Sequence, residues 1–147
     1  MRLVLASIAV LAVLAIPAFA ATQRRTYFGP AAGGANNAGV EVSARIANGD
    51  PTKVTKFEWH NVPGSCGGAR AGATTDEFPS TIKVKDGGFD AKEKFNSGHL
   101  TATVTGEFKH SNQKMKGTLR VRGTVAGCAK LDTGVVSWSA KQPAGQK

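Results

Sequence analysis

Between Leu100 and Val125, apolar and polar residues alternate almost without a break. Leu100, Ala102, Val104, Gly106 and Phe108 are separated by Thr101, Thr103, Thr105, Glu107 and Lys109. After His110-Ser111-Asn112-Gln113 the alternation resumes, with Met115, Leu119, Val121 and Val125 set against Lys116, Thr118, Arg120, Arg122 and Thr124. A period of two puts each set on its own face of an extended strand, whereas a helix would need apolar residues at i, i+3, i+4 and i+7. Two long antiparallel strands, each with one dry and one wet face, are therefore predicted.

The same pattern recurs in shorter pieces. Thr26-Tyr27-Phe28 reads as a first strand, and Gly29 to Gly39, rich in Gly, Ala and Asn, as a flexible loop. Val40, Val42, Ala44 and Ile46 alternate with Glu41, Ser43 and Arg45, and Asn48-Gly49-Asp50-Pro51 forms a turn. Lys53 to Val62 returns with Phe57 and Trp59 on one face and Lys56, Glu58 and His60 on the other. Pro63 to Ser80 carries no clear alternation and is expected to be a long loop anchored through Cys66. Ile82 and Val84, a hairpin turn at Asp86-Gly87-Gly88, Phe89 to Phe95, and a last strand from Gly134 to Lys141 complete the set. Residues 142–147 read as a polar, flexible tail. The fold expected is all-β, an antiparallel sandwich or barrel of about eight strands. An antibody-type domain is excluded by the order of Trp59, Cys66, Cys128 and Trp138, and by Ala126 where that fold places a Tyr.

The amino terminus points to export. Arg2 precedes an apolar run from Leu3 to Ile16, interrupted by Pro17 and followed by Ala18-Phe19-Ala20. These are the three parts of a secretory signal peptide, here residues 1–20, and Pro17 with the A-x-A site favours cleavage over a retained membrane anchor. The leader's one charge is Arg2, so the domain 21–147 keeps a net +8 of the chain's +9. No second apolar run follows, so no membrane-spanning segment is expected after cleavage, and the domain is expected to be a soluble monomer outside the cell or in the envelope.

Cys66 and Cys128 are the chain's two cysteines. An oxidising compartment makes a disulfide their expected state, and one intramolecular pairing is available. Closing a loop of this length stabilises a domain by roughly 4 kcal/mol in the chain-entropy treatment.

Catalytic motifs do not assemble. Gly64-Ser65-Cys66-Gly67-Gly68 superficially fits a nucleophile elbow, but nothing after it reads as the helix such an elbow needs. His60, His99 and His110 are scattered, without metal-ligand spacing. Asp86 to Asp90 resembles a fragment of a calcium loop but lacks its further oxygens and bidentate Glu, and a tight turn explains the same residues. Glu41, Glu58, Glu93 and Glu107 lie in strands, and spacing leaves open whether any two converge. Hence no catalytic residue, metal or cofactor is assigned. The strongest binding candidate is the basic wet face of the two long strands, formed by Lys109, Lys114, Lys116, Arg120 and Arg122. Several cations within a Debye length create a positive field suited to an anionic wall polymer or glycan. No aromatic residues interleave with them, so specific nucleic-acid binding is not expected.

The order of motifs also carries a resemblance. Tyr27-x-Gly29, Asn48-Gly49, Val54-x-x-Phe57, Cys66, Ile82-x-Val84 and Gly106-x-Phe108 come first. Lys116-Gly117-Thr118-Leu119-Arg120-Val121, Cys128 and Thr133-Gly134-x-Val136-x-Trp138-x-Ala140 follow. In this order the chain resembles a broad group of uncharacterised secreted bacterial β-domain proteins with a leader and two cysteines. The resemblance implies an all-β fold and the disulfide, and brings no activity, ligand or catalytic residue.

The function expected is thus a non-enzymatic extracellular or envelope module with a basic surface. The alternatives are an extracellular enzyme acting on polysaccharide through carboxylates converging from separate strands, and a structural or inhibitory protein recognised through the Pro63–Ser80 segment.

Overall fold

Ten strands, every pair antiparallel, account for the fold in the computed structural model, which describes residues 22–33 and 37–145. The leader expected at residues 1–20 lies outside the described residues. The strands are β1 (Gln23–Pro30), β2 (Gly39–Ala47), β3 (Asp50–Cys66), β4 (Ala69–Glu77) and β5 (Ile82–Lys83). β6 (Gly88–Phe95), β7 (Leu100–Lys109), β8 (Lys114–Val125), β9 (Cys128–Asp132) and β10 (Val136–Lys141) follow.

The pairings return on themselves. β3 pairs with β2, β2 with β1, β1 with β10, β10 with β8, β8 with β7 and β7 with β6. The circuit closes through β5, which pairs with β3 at Lys53↔Lys83 and Val54↔Ile82 and joins β6 by a tight turn. In that turn Asp86 and Gly87 both have positive φ, as a two-residue hairpin of this hand requires. Of the two architectures expected, the molecule is therefore a barrel.

Alternation decides what the barrel encloses. Leu100, Ala102, Val104 and Phe108 of β7 face inward with Met115, Leu119 and Val121 of β8, and Phe57, Trp59 and Val62 of β3 face them across the core. Aromatic rings meet edge to face at the centre, Phe57 with Trp138 at 5.3 Å and Tyr27 with Phe108 at 5.9 Å between centroids. One end is closed by the His110–Gln113 loop. The Tyr27 hydroxyl donates to the carbonyl of Asn112 at 2.7 Å, and the Asn112 side chain donates to the carbonyl of Gly49 at 2.6 Å. The Cys66–Cys128 disulfide is formed, joining the end of β3 to the start of β9 across 62 residues.

Three expectations need correction. The strands number ten rather than about eight, because β4 and β9 lack the alternation that marks the others. Pro63–Ser80 is not a long loop: β3 runs on to Cys66, turns at Gly67-Gly68 with both φ positive, and returns as β4. β4 escaped notice because Ala69, Ala71, Gly72 and Ala73 are small and Arg70, Asp76 and Glu77 charged, so no apolar face is written into it. Gly29–Gly39 is likewise shorter as a loop than its composition suggests. β1 continues to Pro30, β2 starts at Gly39, and the Ala31 amide donates to the Ala38 carbonyl at 3.0 Å.

Candidate functional site

The outward residues of β7 and β8 are set by register. Thr101, Thr103, Thr105, Glu107 and Lys109 stand opposite Arg122, Arg120, Thr118, Lys116 and Lys114 respectively. All five basic residues singled out from the sequence therefore share the outer wall, but they fall into two kinds.

Arg120 and Lys109 are engaged within the protein. Arg120 grips Asp132 bidentately, Nε to Oδ1 at 3.0 Å and the terminal nitrogen to Oδ2 at 2.6 Å. Asp132 Oδ1 also accepts the Gly134 amide at 2.8 Å, so this pair fastens the β9–β10 connection to β8. The hydrogen-bonded guanidinium holds the Asp132 carboxyl below the usual carboxylate range, and Asp132 in turn raises Arg120. The Lys109 ammonium is paired with Glu107, whose carboxyl it lowers. Lys114, Lys116 and Arg122 are the exposed members.

Register then brings in cations the sequence reading did not group with them. Lys141 of β10 lies directly opposite Lys114, while Lys92 and Lys94 of β6 lie opposite Thr103 and Thr101. All three are exposed and on the same wall. Their outward parity is visible in the sequence, but the β6–β7 and β8–β10 pairings that gather them are not. The wall between the cations carries hydroxyls, with Thr105 and Thr118 bonded to each other at 2.8 Å and Ser137 and Ser139 beside Thr118 and Lys116, and two exposed acids, Asp90 opposite Thr105 and Glu107 opposite Lys116. Phe28, 45% exposed, stands opposite Lys141 at the rim of this face, an outward aromatic that its place in a short apolar run had concealed.

The other candidates resolve as follows. Cys66 is in the disulfide and is followed by a turn and a strand, so the nucleophile elbow does not exist. His99 and His110 are exposed, His110 in the loop that closes the barrel. Asp86 belongs to the β5–β6 turn. Glu41 and Glu58 do meet, directly opposite one another on the outer wall, with the Lys56 ammonium bonded to both, to Glu41 at 3.1 Å. His60 Nε2 lies 3.4 Å from Glu58, and ligand atoms of Glu41, Glu58 and His60 all fall within 4.8 Å of one another. Lys56 already supplies the cation for these carboxylates and holds the Glu58 carboxyl low, a poor setting for a proton donor. Glu93 accepts from the Ser80 hydroxyl at 3.3 Å.

Among the described residues no helix is long and apolar enough to cross a membrane. Comparison of the chain with protein families, with curated proteins and with solved structures finds no match, so the reading of its function rests on this geometry.

Proposed function

We propose that the chain is exported by its leader, and that its barrel is a non-enzymatic binding module whose basic wall engages an acidic polysaccharide or anionic wall polymer. The observation that carries this reading is the set of six exposed cations, Lys92, Lys94, Lys114, Lys116, Arg122 and Lys141, on adjoining strands of one face. Hydroxyls interspersed among them suit the hydroxyl-rich backbone of a glycan. Phe28 at the rim offers one flat apolar ring for a sugar face, whereas a single-stranded nucleic acid would want several such rings in sequence. The disulfide fits an oxidising compartment.

The test is binding of the oxidised domain to immobilised acidic glycans and wall polymers, with DNA and anionic vesicles as competitors, at low and raised salt. Selective binding that survives moderate salt, and that is lost in a Lys114→Ala/Lys116→Ala/Arg122→Ala variant, is the expected result. Equal, weak binding to every polyanion, abolished by salt, would reduce the basic wall to a solubility device and end this reading.

A further inference from the structure

The end of the barrel opposite the His110–Gln113 loop has an incomplete wall. β4 pairs with β3 and β6 with β7, but β4 and β6 do not pair with each other, and β5 bridges β3 and β6 only at the far end. A bulge separates Trp59 from Val62, with Asn61 at a φ of 51° and its amide donating to Thr75 Oγ1 at 2.9 Å. Such a bulge bends the β3–β4 hairpin. Between β4 and the β6–β7 turn the opening leads into a cavity of about 620 Å³.

The cavity has an apolar floor and one charged side chain. Trp59 and Phe95 meet edge to face at 5.9 Å, and Leu100, Val121, Leu131 and the disulfide continue the surface. On the β4 side, register sets Asp76 opposite Trp59 and Thr74 opposite Val62, so both occupy the inward parity of their strand. Thr74 is half-buried and Asp76 exposed, so this stretch of β4 gives the opening a polar edge. Among the described residues Asp76 is the single charged residue of the lining, in a chain whose net charge is +9. Its Oδ1 accepts the Glu77 amide at 2.9 Å, which fixes the carboxylate's position.

We propose that this cavity is a binding site for a small organic cation with an apolar body, of the alkylammonium class. The volume is that of a small-molecule site, and an apolar chain or ring would be removed from water on the floor. A cationic head would meet the Asp76 carboxylate, with the half-buried Phe95 ring also in the lining. An anionic head of the same length would face that carboxylate instead. The site is at the barrel's end, and it stands or falls separately from the basic wall.

The test uses three probes with one tail, decyltrimethylammonium, decanol and decanoate, each kept below its micelle or solubility limit. Binding to the oxidised protein is followed by calorimetry, which counts the sites. Decyltrimethylammonium is expected to bind saturably at one site, decanol more weakly and decanoate most weakly. Asp76→Asn, an exposed position, should weaken the ammonium probe roughly fivefold or more while leaving decanol unchanged. Ala71→Phe, which fills the cavity from the β4 side, should abolish binding of all three. Should that variant fail to fold, the Asp76→Asn comparison decides alone. Decanoate binding as tightly as the ammonium, an unchanged preference in Asp76→Asn, or no saturable binding by any probe would overturn the proposal.

Discussion

Gly106 stands directly opposite Gly117 in the β7–β8 pair, and aromatic rings occupy the space where their side chains would be. Phe89 lies over Gly106 and Trp138 against Gly117, with their own centroids 6.4 Å apart and their planes at 27°. A Cβ on Gly117 would overlap the Thr105 carbonyl oxygen of the neighbouring strand, and one on Gly106 would overlap the Phe89 ring. Gly117→Ala should therefore cost about 3 kcal/mol or more, and Gly106→Ala about 1–3 kcal/mol, measured by urea denaturation. Gly72 meets nothing within 4 Å and serves as the control, since Gly72→Ala should change stability by about 0.5 kcal/mol at most. Equal midpoints for all three variants would mean that the close approach is not needed.

The disulfide should be a large part of the stability. Cys128→Ser, or reduction of the native protein, is expected to remove up to about 4 kcal/mol. For a domain of this size that lowers the melting temperature by on the order of 10 °C. A melting temperature indifferent to reductant would contradict it.

Stability should fall in acid through Asp132. Its carboxyl is depressed by the Arg120 fork, so its contribution is complete above the ordinary aspartate value of about 4 and is lost as pH falls through the lower folded value. Asp132→Asn should be less stable at neutral pH and should show a flatter acid limb. At the other extreme, Glu58 and Glu41 raise Lys56, whose contribution is complete below the ordinary lysine value of about 10.4 and is lost as pH rises through the raised one. Lys56→Met should flatten that alkaline limb. Denaturation midpoints across pH would reveal parallel curves if these pairs carry nothing.

Both tryptophans should report a dry interior. Trp59 and Trp138 are buried, so native emission should be blue-shifted and resistant to acrylamide, shifting red on unfolding. Trp59→Phe and Trp138→Phe, each leaving one tryptophan, would separate the two emissions, and a water-like spectrum from either would contradict the burial.

Neutralising the exposed cations should act on binding and not on the fold. Lys114→Ala, Lys116→Ala and Arg122→Ala should each reduce the salt dependence of polyanion binding by about one charge, by analogy with counterion release from nucleic acids. Arg120→Ala should instead lower stability, because its guanidinium fastens Asp132. The reverse pattern would move the binding contact to Arg120.

Strands that bury one face and wet the other announced themselves in the sequence. Leu100–Lys109 and Met115–Val125 lie within the observed β7 and β8, and the inward placing of Phe57, Trp59 and Trp138 follows from the same alternation. β4 did not, because its inner side meets an open cavity and so has no call for large apolar residues. The outward parity of Arg120 was readable, but its grip on Asp132 was not, since that depends on β9 lying beside β8. Lys141 joined Lys114 for the same reason: partner choice between distant strands leaves no local mark.

The pairing of β1 with β10 makes closure of the wall depend on one short strand. Phe28 of β1 meets Lys141 of β10, so the wall has no finished version without β10. Without Val136–Lys141, β1 and the adjoining part of β8 would each show a bare edge, and Trp138 would be missing from among Phe57 and Phe89. Losing only those six residues would undo edge, seam and centre together.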